Sequence, residues 1–201
     1  MLSILRTRTG RILTALALTA TLLAACGEKS VSFNATDITG ANYGHGFELV
    51  DSHGKLRTME DFRGEVVMIY FGFIQCPDVC PTALMRAVEV KDALGPLGDK
   101  FRVVYITVDP ERDTPEIVSA YLAAFDPEFV GLHPTMDELP DVAKSFRVFY
   151  RKVPTGESYT MDHTASSFVF DPQGRLRLVV SHAMEVAPIA EDVRTLLHNN
   201  R

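Results

Sequence analysis

Val66-Val67-Met68-Ile69-Tyr70-Phe71-Gly72-Phe73-Ile74-Gln75-Cys76-Pro77-Asp78-Val79-Cys80-Pro81 is the stretch on which the reading of this chain turns. Val66 to Phe71 is a continuous apolar and aromatic run rich in β-branched side chains, the pattern of a strand buried on both faces. Pro81 lacks an N–H, so it is poorly tolerated inside a helix but welcome at the first helical position. From Pro81 to Leu94 the side chains of Leu84, Ala87, Val88 and Leu94 share one helical face, with Arg86, Glu89 and Asp92 elsewhere. The stretch therefore predicts a strand, a cysteine-bearing turn and a helix. Cys80 is expected at the N-cap and Cys76 in the preceding turn. Backbone N–H groups and the helix dipole at such a start favour thiolate over thiol.

Outward from this unit the chain keeps alternating. Phe47-Glu48-Leu49-Val50 reads as a strand stopped by the turn Ser52-His53-Gly54-Lys55. Phe101 to Val108 is a second apolar strand, halted by Asp109-Pro110. Asp113 or Thr114 then caps a helix to about Ala124, with Pro115 at its first position and Glu116 in its first turn. Asp137 to Phe146 predicts another helix and Arg147 to Lys152 a strand. Ser166 to Phe170 and Arg175 to Val180 alternate and are joined by Asp171-Pro172-Gln173-Gly174, which marks a β-hairpin. Ile189 to Leu197 closes the chain as a helix. This order is that of an α/β, thioredoxin-like fold, a central mixed sheet flanked by helices. The two long apolar strands, joined by a helical crossover, should be parallel neighbours. Cys76 and Cys80 then lie at the carboxyl end of a central strand, where α/β sheets place ligands and reacting groups.

Two chemistries fit the cysteine loop. Cys76 and Cys80 could close into a disulfide and exchange it with a partner, or they could hold a soft metal as thiolates. Dedicated thioredoxin-type exchange usually separates its cysteines by two residues, whereas Pro77, Asp78 and Val79 intervene here. The longer loop accommodates a metal and still permits a disulfide. His163 adds an imidazole, in the loop Asp162-His163-Thr164 just before the predicted strand from Ser166. Thioredoxin-like folds usually carry a proline in the loop facing the cysteines, yet no proline occurs between Tyr159 and Phe170. An imidazole is expected in that place. Two thiolates and one imidazole suit Cu(I) in a trigonal arrangement, while zinc normally takes a fourth ligand. Asp162 is a candidate to orient the ring or to give a weak oxygen ligand, and reads equally as a surface turn residue. Met161 and Met68 read as packing residues. His45, His53, His133, His182 and His198 are scattered and carry no expected role. The dense segment Asp109-Pro110-Glu111-Arg112-Asp113-Thr114-Pro115 would shape the rim of the site, dock a partner, or form a solvated helix entry.

The N-terminus reads as an address. Arg6, Arg8 and Arg11 precede Ile12 to Ala25, an apolar run of 14 residues interrupted by Thr14, Thr19 and Thr21. A bilayer-spanning helix needs about 20 residues, so residues 1–25 are expected to be a signal peptide. Leu23-Ala24-Ala25-Cys26 has the pattern of a lipobox, in which Cys26 takes a lipid after cleavage. Residues 26–45, polar and weakly periodic, are expected to be a lipid-attached spacer, and 46–201 the thioredoxin-like copper-binding domain. Without residues 1–25, 17 basic side chains face 26 acidic ones across 176 residues, a net charge of −9. That balance, with no dense basic run, argues against a nucleic-acid partner. With Cys26 lipidated, Cys76 and Cys80 remain as a local pair, too close in sequence to staple distant parts of the fold.

Tyr70-Phe71-Gly72-Phe73, Cys76-Pro77-Asp78-Val79-Cys80-Pro81, Val108-Asp109-Pro110-Glu111-Arg112-Asp113-Thr114-Pro115 and Asp162-His163-Thr164 occur in the order and spacing of one family. By these motifs the chain resembles the Sco/SenC family of copper proteins, over roughly Tyr43 to the C-terminal helix. The resemblance implies a thioredoxin-like domain anchored at a membrane, facing the periplasm of the bacterial cell envelope. It implies copper, as Cu(I) and also as Cu(II), held by Cys76, Cys80 and His163. It further implies a metallochaperone rather than an enzyme, assisting assembly of the dinuclear copper centre of cytochrome c oxidase subunit II or serving another exported copper protein. The alternative is a thiol-disulfide reductase, with Cys76 and Cys80 as the redox pair acting on the cysteines of the same or another exported partner. Many members carry threonine where Ile74 stands, so a hydroxyl hydrogen bond beside the site is expected to be missing here.

Overall fold

The computed structural model describes residues 31–199. In chain order the strands are β1 (Thr36–Asp37), β2 (Glu48–Val50), β3 (Leu56–Thr58), β4 (Val66–Gly72), β5 (Phe101–Thr107), β6 (Val130–Leu132), β7 (Tyr150–Thr155), β8 (Ser158–His163), β9 (Ser167–Phe170) and β10 (Leu176–Val180). The α-helices are α1 (Val79–Leu94), α2 (Pro115–Ala123), α3 (Leu139–Ser145) and α4 (Val186–His198). The main sheet has the order β1-β10-β9-β4-β5-β6. β4 runs parallel to β5, and β5 parallel to β6, while β9 is antiparallel to β4 and to β10. This is the mixed, helix-flanked, thioredoxin-like sheet that the alternation predicts.

All seven residues of β4 are buried, as the apolar run requires for a strand with neighbours on both edges. Each large aliphatic or aromatic side chain so buried stabilises the fold by about 1.5–3 kcal/mol. α1 packs beside α4 and buries Cys80, Leu84, Ala87, Val90 and Leu94. Val90, rather than the half-buried Val88, completes the predicted face. Thr114 caps α2, its hydroxyl accepting from the Ile117 N–H at 3.4 Å, with Pro115 at the first position as expected.

Two differences bear on the site. The strand predicted over Arg147 to Lys152 lies at Tyr150–Thr155 and pairs antiparallel with β8, whose last residues, Asp162 and His163, are expected from the sequence in a loop. In this separate two-stranded sheet β7 is largely exposed and β8 mostly half-buried with only Met161 buried, so no apolar alternation announces them. Pro154 fits because a two-stranded ribbon always has a free edge, and Gly156, at φ +63°, makes the tight turn. His163 is therefore the last residue of a strand, not a loop residue.

The second difference is the start of the domain, which lies ahead of the expected boundary at residue 46. Of the expected spacer, the described part packs onto the fold: β1 pairs with β10, and Phe33, Ala35, Ile38 and Tyr43 lie against the core. The backbone N–H groups of Asn34 and Ala35 donate to the buried Asp192 carboxylate, each at 2.8 Å. An unpaired buried carboxylate is costly, and these two donors tie the entering chain to α4. The predicted signal peptide and Cys26 lie outside the described residues. No helix among the described residues is long and apolar enough to cross a membrane.

Candidate metal centre

β4 ends at Gly72 and the chain turns through Phe73 to Asp78 before α1. Asp78 is the N-cap, Cys80 the second helical residue and Pro81 the third, each two positions further into the helix than predicted. The first four N–H groups of any helix lack an intrahelical acceptor. Proline is therefore tolerated throughout that turn and does not mark its first residue. The Cys80 N–H donates to Cys76 Sγ at 3.4 Å, folding the loop so that both sulfurs face the same side.

Cys80 is wholly buried and Cys76 half-buried. Burial pushes the Cys80 thiol up to about 12, against a backbone hydrogen bond from Phe73 and one from the Tyr70 hydroxyl at 3.6 Å, which pull it down. The helix start thus does not leave Cys80 as a standing thiolate, contrary to the expectation from dipole and N–H groups. Desolvation of a buried anion outweighs them. A bound soft cation would take the place of the proton and compensate the charge. The absence of a side chain at Gly72 gives the sulfur its place. A Cβ there would lie 2.9 Å from both the Tyr70 and Tyr105 rings and 3.1 Å from Cys80 Sγ.

The hairpin of β7 and β8 supplies the third donor. His163 Nε2 lies 3.4 Å from Cys80 Sγ, and its ring meets Phe73 and Tyr70 edge-on with centroids 5.7 Å and 6.1 Å away. Nδ1 is 3.0 Å from the Thr164 carbonyl oxygen, an acceptor only, so Nδ1 carries the hydrogen and Nε2 presents its lone pair to the sulfurs. Burial lowers the imidazole pKa, which keeps the ring neutral and able to ligate. Ligating atoms of Cys76, Cys80 and His163 lie within 4.8 Å of one another. No other His, Cys, Asp or Glu among the described residues joins them. The donors fit three-coordinate soft-metal binding.

Asp162, a candidate to orient the ring, lies at the surface instead. Successive strand residues point to opposite faces, and Asp162 is exposed and paired with Arg151 at 2.7 Å. The Thr164 carbonyl fills the orienting role instead. Met161 is buried as expected for packing.

The acidic segment after β5 does more than enter a helix. Asp113, buried, accepts from the Ile74 N–H at 3.1 Å and from the Thr107 hydroxyl at 2.6 Å, so it pins the cysteine loop to the end of β5. Because the Ile74 backbone makes this bond, the loop is anchored although the side chain at this position offers no hydroxyl. Asp109, also buried, accepts from the Tyr159 hydroxyl at 2.9 Å and so reaches β8. Charge density at a strand end signals Asp109 and Asp113, and Tyr70 and Gly72 stand in a motif of the family resemblance without an assigned role. Nothing in the sequence signals Tyr159 as a site residue.

Comparison with known proteins agrees with this geometry. A family model described as SCO1/SenC matches residues 35–198. An SCO2-like protein of Rickettsia prowazekii is 37% identical over 132 residues, 64% of this chain and 64% of that protein. ScoI of Bradyrhizobium japonicum, solved with copper bound, is 40% identical, with 78% of this chain and 99% of that one covered and a TM-score of 0.70. Apo Sco1 of Thermus thermophilus is 33% identical over 84% of this chain and 99% of that one, with a TM-score of 0.72. The chain spans less than two thirds of the length of these curated relatives, from 66% down to 44%.

Proposed function

The chain belongs to the SCO1/SenC family, and from that premise we propose that it is a copper metallochaperone. In this reading it is tethered to a membrane of the bacterial cell envelope through a lipid on Cys26, with its domain facing the periplasm. Its service is assembly of the dinuclear copper centre of cytochrome c oxidase subunit II, or of another exported copper protein. The observation that carries the reading is the convergence of two sulfurs and one imidazole nitrogen within 4.8 Å, from elements far apart in sequence. Copper bound there would supply a soft, thiophilic centre whose ligands can be exchanged one at a time. Cys80 would hold the inner position, Cys76 the half-exposed one, and His163 the position at the rim. A cysteine pair on the partner would displace these donors in turn. The tether rests on the segment Leu23-Ala24-Ala25-Cys26, and Cys26→Ser should release the protein from the membrane fraction.

Anaerobic titration with Cu(I) should saturate at one equivalent, and X-ray absorption should count two sulfur neighbours and one nitrogen. Cys76→Ser and Cys80→Ser should each remove a sulfur neighbour and His163→Ala the nitrogen. A copper environment unchanged in His163→Ala would overturn the site.

The exposure difference between the sulfurs supports a second reading, thiol-disulfide reduction. The Cys76 thiolate would attack a partner disulfide and release one partner thiolate, which takes up a proton. The Cys80 thiolate would then displace the second partner thiolate from the mixed disulfide. The partner ends with two thiols and this protein with a Cys76–Cys80 disulfide. Reduction of a disulfide substrate by the metal-free protein, independent of His163, would favour it.

A further inference from the structure

The hairpin that carries His163 is not part of the main sheet. Among the described residues, its side-chain hydrogen bonds and ion pairs to the rest of the domain, other than those of His163 with Cys80 and Thr164, all run to residues 109–112. Asp109 takes the Tyr159 hydroxyl, and Glu111 pairs with Lys152. Arg112 makes the densest set. Its Nη1 donates to the Tyr159 carbonyl at 2.8 Å and to Gln75 Oε1 at 3.1 Å, while its Nε donates to Asp109 at 2.5 Å. Its guanidinium also stacks on the Tyr159 ring, 3.6 Å from the centroid. Gln75 is the residue immediately before Cys76, and Tyr159 lies on the strand that ends at His163. One side chain thus touches both halves of the donor set.

We infer that Arg112 is a positioning residue, a clasp that holds the His163 hairpin against the cysteine loop and so sets the reach of Nε2 to the sulfurs. The inference rests on the proposed copper site. A planar guanidinium suits the task because its donors are fixed in one plane and its face can stack at the same time, which a lysine ammonium cannot do. Arg112 Nη2 is buried with no hydrogen-bond partner. An unpaired buried N–H opposes stability, so the residue's placement is explained by what its other atoms join rather than by a best fit of the fold. With the clasp closed the site has three donors. With it open, the two sulfurs remain on the rigid strand–helix unit and the nitrogen is withdrawn, the geometry needed to hand a cation to an incoming pair of thiols.

The test has a metal-free arm and a copper arm. In the apo protein, amide hydrogen exchange should quicken by about tenfold or more across β7 and β8 in Arg112→Gln, with β4 and β5 unchanged. In the Cu(I) form, X-ray absorption should show two sulfurs retained and the nitrogen neighbour lost or reduced. Equal acceleration in β4 and β5, or a hairpin and nitrogen neighbour both as in the parent, would overturn the inference. Gln75→Ala, at an exposed side chain, breaks only the link to the cysteine loop and keeps the fold safe. It should lower nitrogen occupancy with the hairpin still protected, and parental occupancy would count against the clasp. If the parent protein itself lacks a nitrogen neighbour, the copper site as drawn falls, and the exchange measurement still decides whether Arg112 holds the hairpin.

Discussion

The two halves of the metal site are built in opposite ways. β4 is buried along its whole length and α1 buries Cys80 completely, whereas the β7–β8 hairpin buries only Met161 fully. The sulfur side is part of the hydrophobic core, and moving it would disturb packing that resists even one-methylene changes. The imidazole side is a separate hairpin joined by hydrogen bonds, an ion pair, one stacked guanidinium and the packing of Met161, Tyr150 and Tyr159 on the core. A site with two fixed donors and one on an arm can capture with all three and release by loosening one. The difference in burial therefore predicts a difference in what each ligand does for copper.

The sharpest break of that comparison comes from removing one donor from each half. Removing even partners of metal ligands costs about 10–100-fold in affinity, and Cys80→Ser should exceed the upper end because it deletes a buried thiolate donor. His163→Ala should fall within that range and keep both sulfurs. Competition with a Cu(I) chelator under anaerobic conditions reads both. Equal losses in the two variants would erase the distinction between a fixed and an arm-borne donor.

A smaller effect distinguishes the sulfurs within the fixed half. In the metal-free protein an alkylating reagent at neutral pH should label Cys76 first, with Cys80 reacting about tenfold more slowly or slower, since only thiolate attacks and burial holds Cys80 protonated. The same raised pKa sets a sign for stability. The folded state keeps the Cys80 proton where the unfolded chain releases it, so its contribution is complete at low pH and fades between about 9 and about 12. Urea midpoints of the apo protein should fall more steeply over that window in the parent than in Cys80→Ala. Equal slopes, or simultaneous labelling, would mean that the sulfurs share one environment.

The same contrast explains what the sequence disclosed. Val66 to Phe71 and Phe101 to Val108 are legible because both faces of each strand are buried, leaving continuous apolar runs. The cysteines are legible because the proline and the helix behind them constrain their turn. β8 was not, because a half-exposed ribbon has no face that must be apolar, so His163 could be named as a donor but not placed on a strand. β6 is illegible for another reason: three residues around Gly131 leave little pattern, and the glycine answers to α2, whose Val118 side chain would sit 2.5 Å from a Cβ there. Of the readings open for Asp162, the surface one holds, because strand alternation turns sequence neighbours to opposite faces. Arg112 stood in view within a charged segment, but its three partners, Gln75, Asp109 and Tyr159, meet only after folding.

Asp162→Asn should have the smallest effect and gives the cleanest check on the arm. If strand alternation governs the hairpin, the carboxylate belongs to the solvent face, and removing its charge should alter copper affinity by less than about twofold, within the range of exposed ion pairs. The pair with Arg151 has side chains 63% and 50% exposed, so its loss should also leave the melting temperature nearly unchanged. A residual effect has a defined sign. The Asp162 charge raises the His163 pKa slightly against the larger lowering by burial. Its removal should therefore lower that pKa a little further and extend copper binding by the imidazole to slightly more acid pH. An affinity loss of the size expected for His163→Ala would require the carboxylate to turn inward to the metal, and the hairpin would then have to reach the sulfurs with its opposite face.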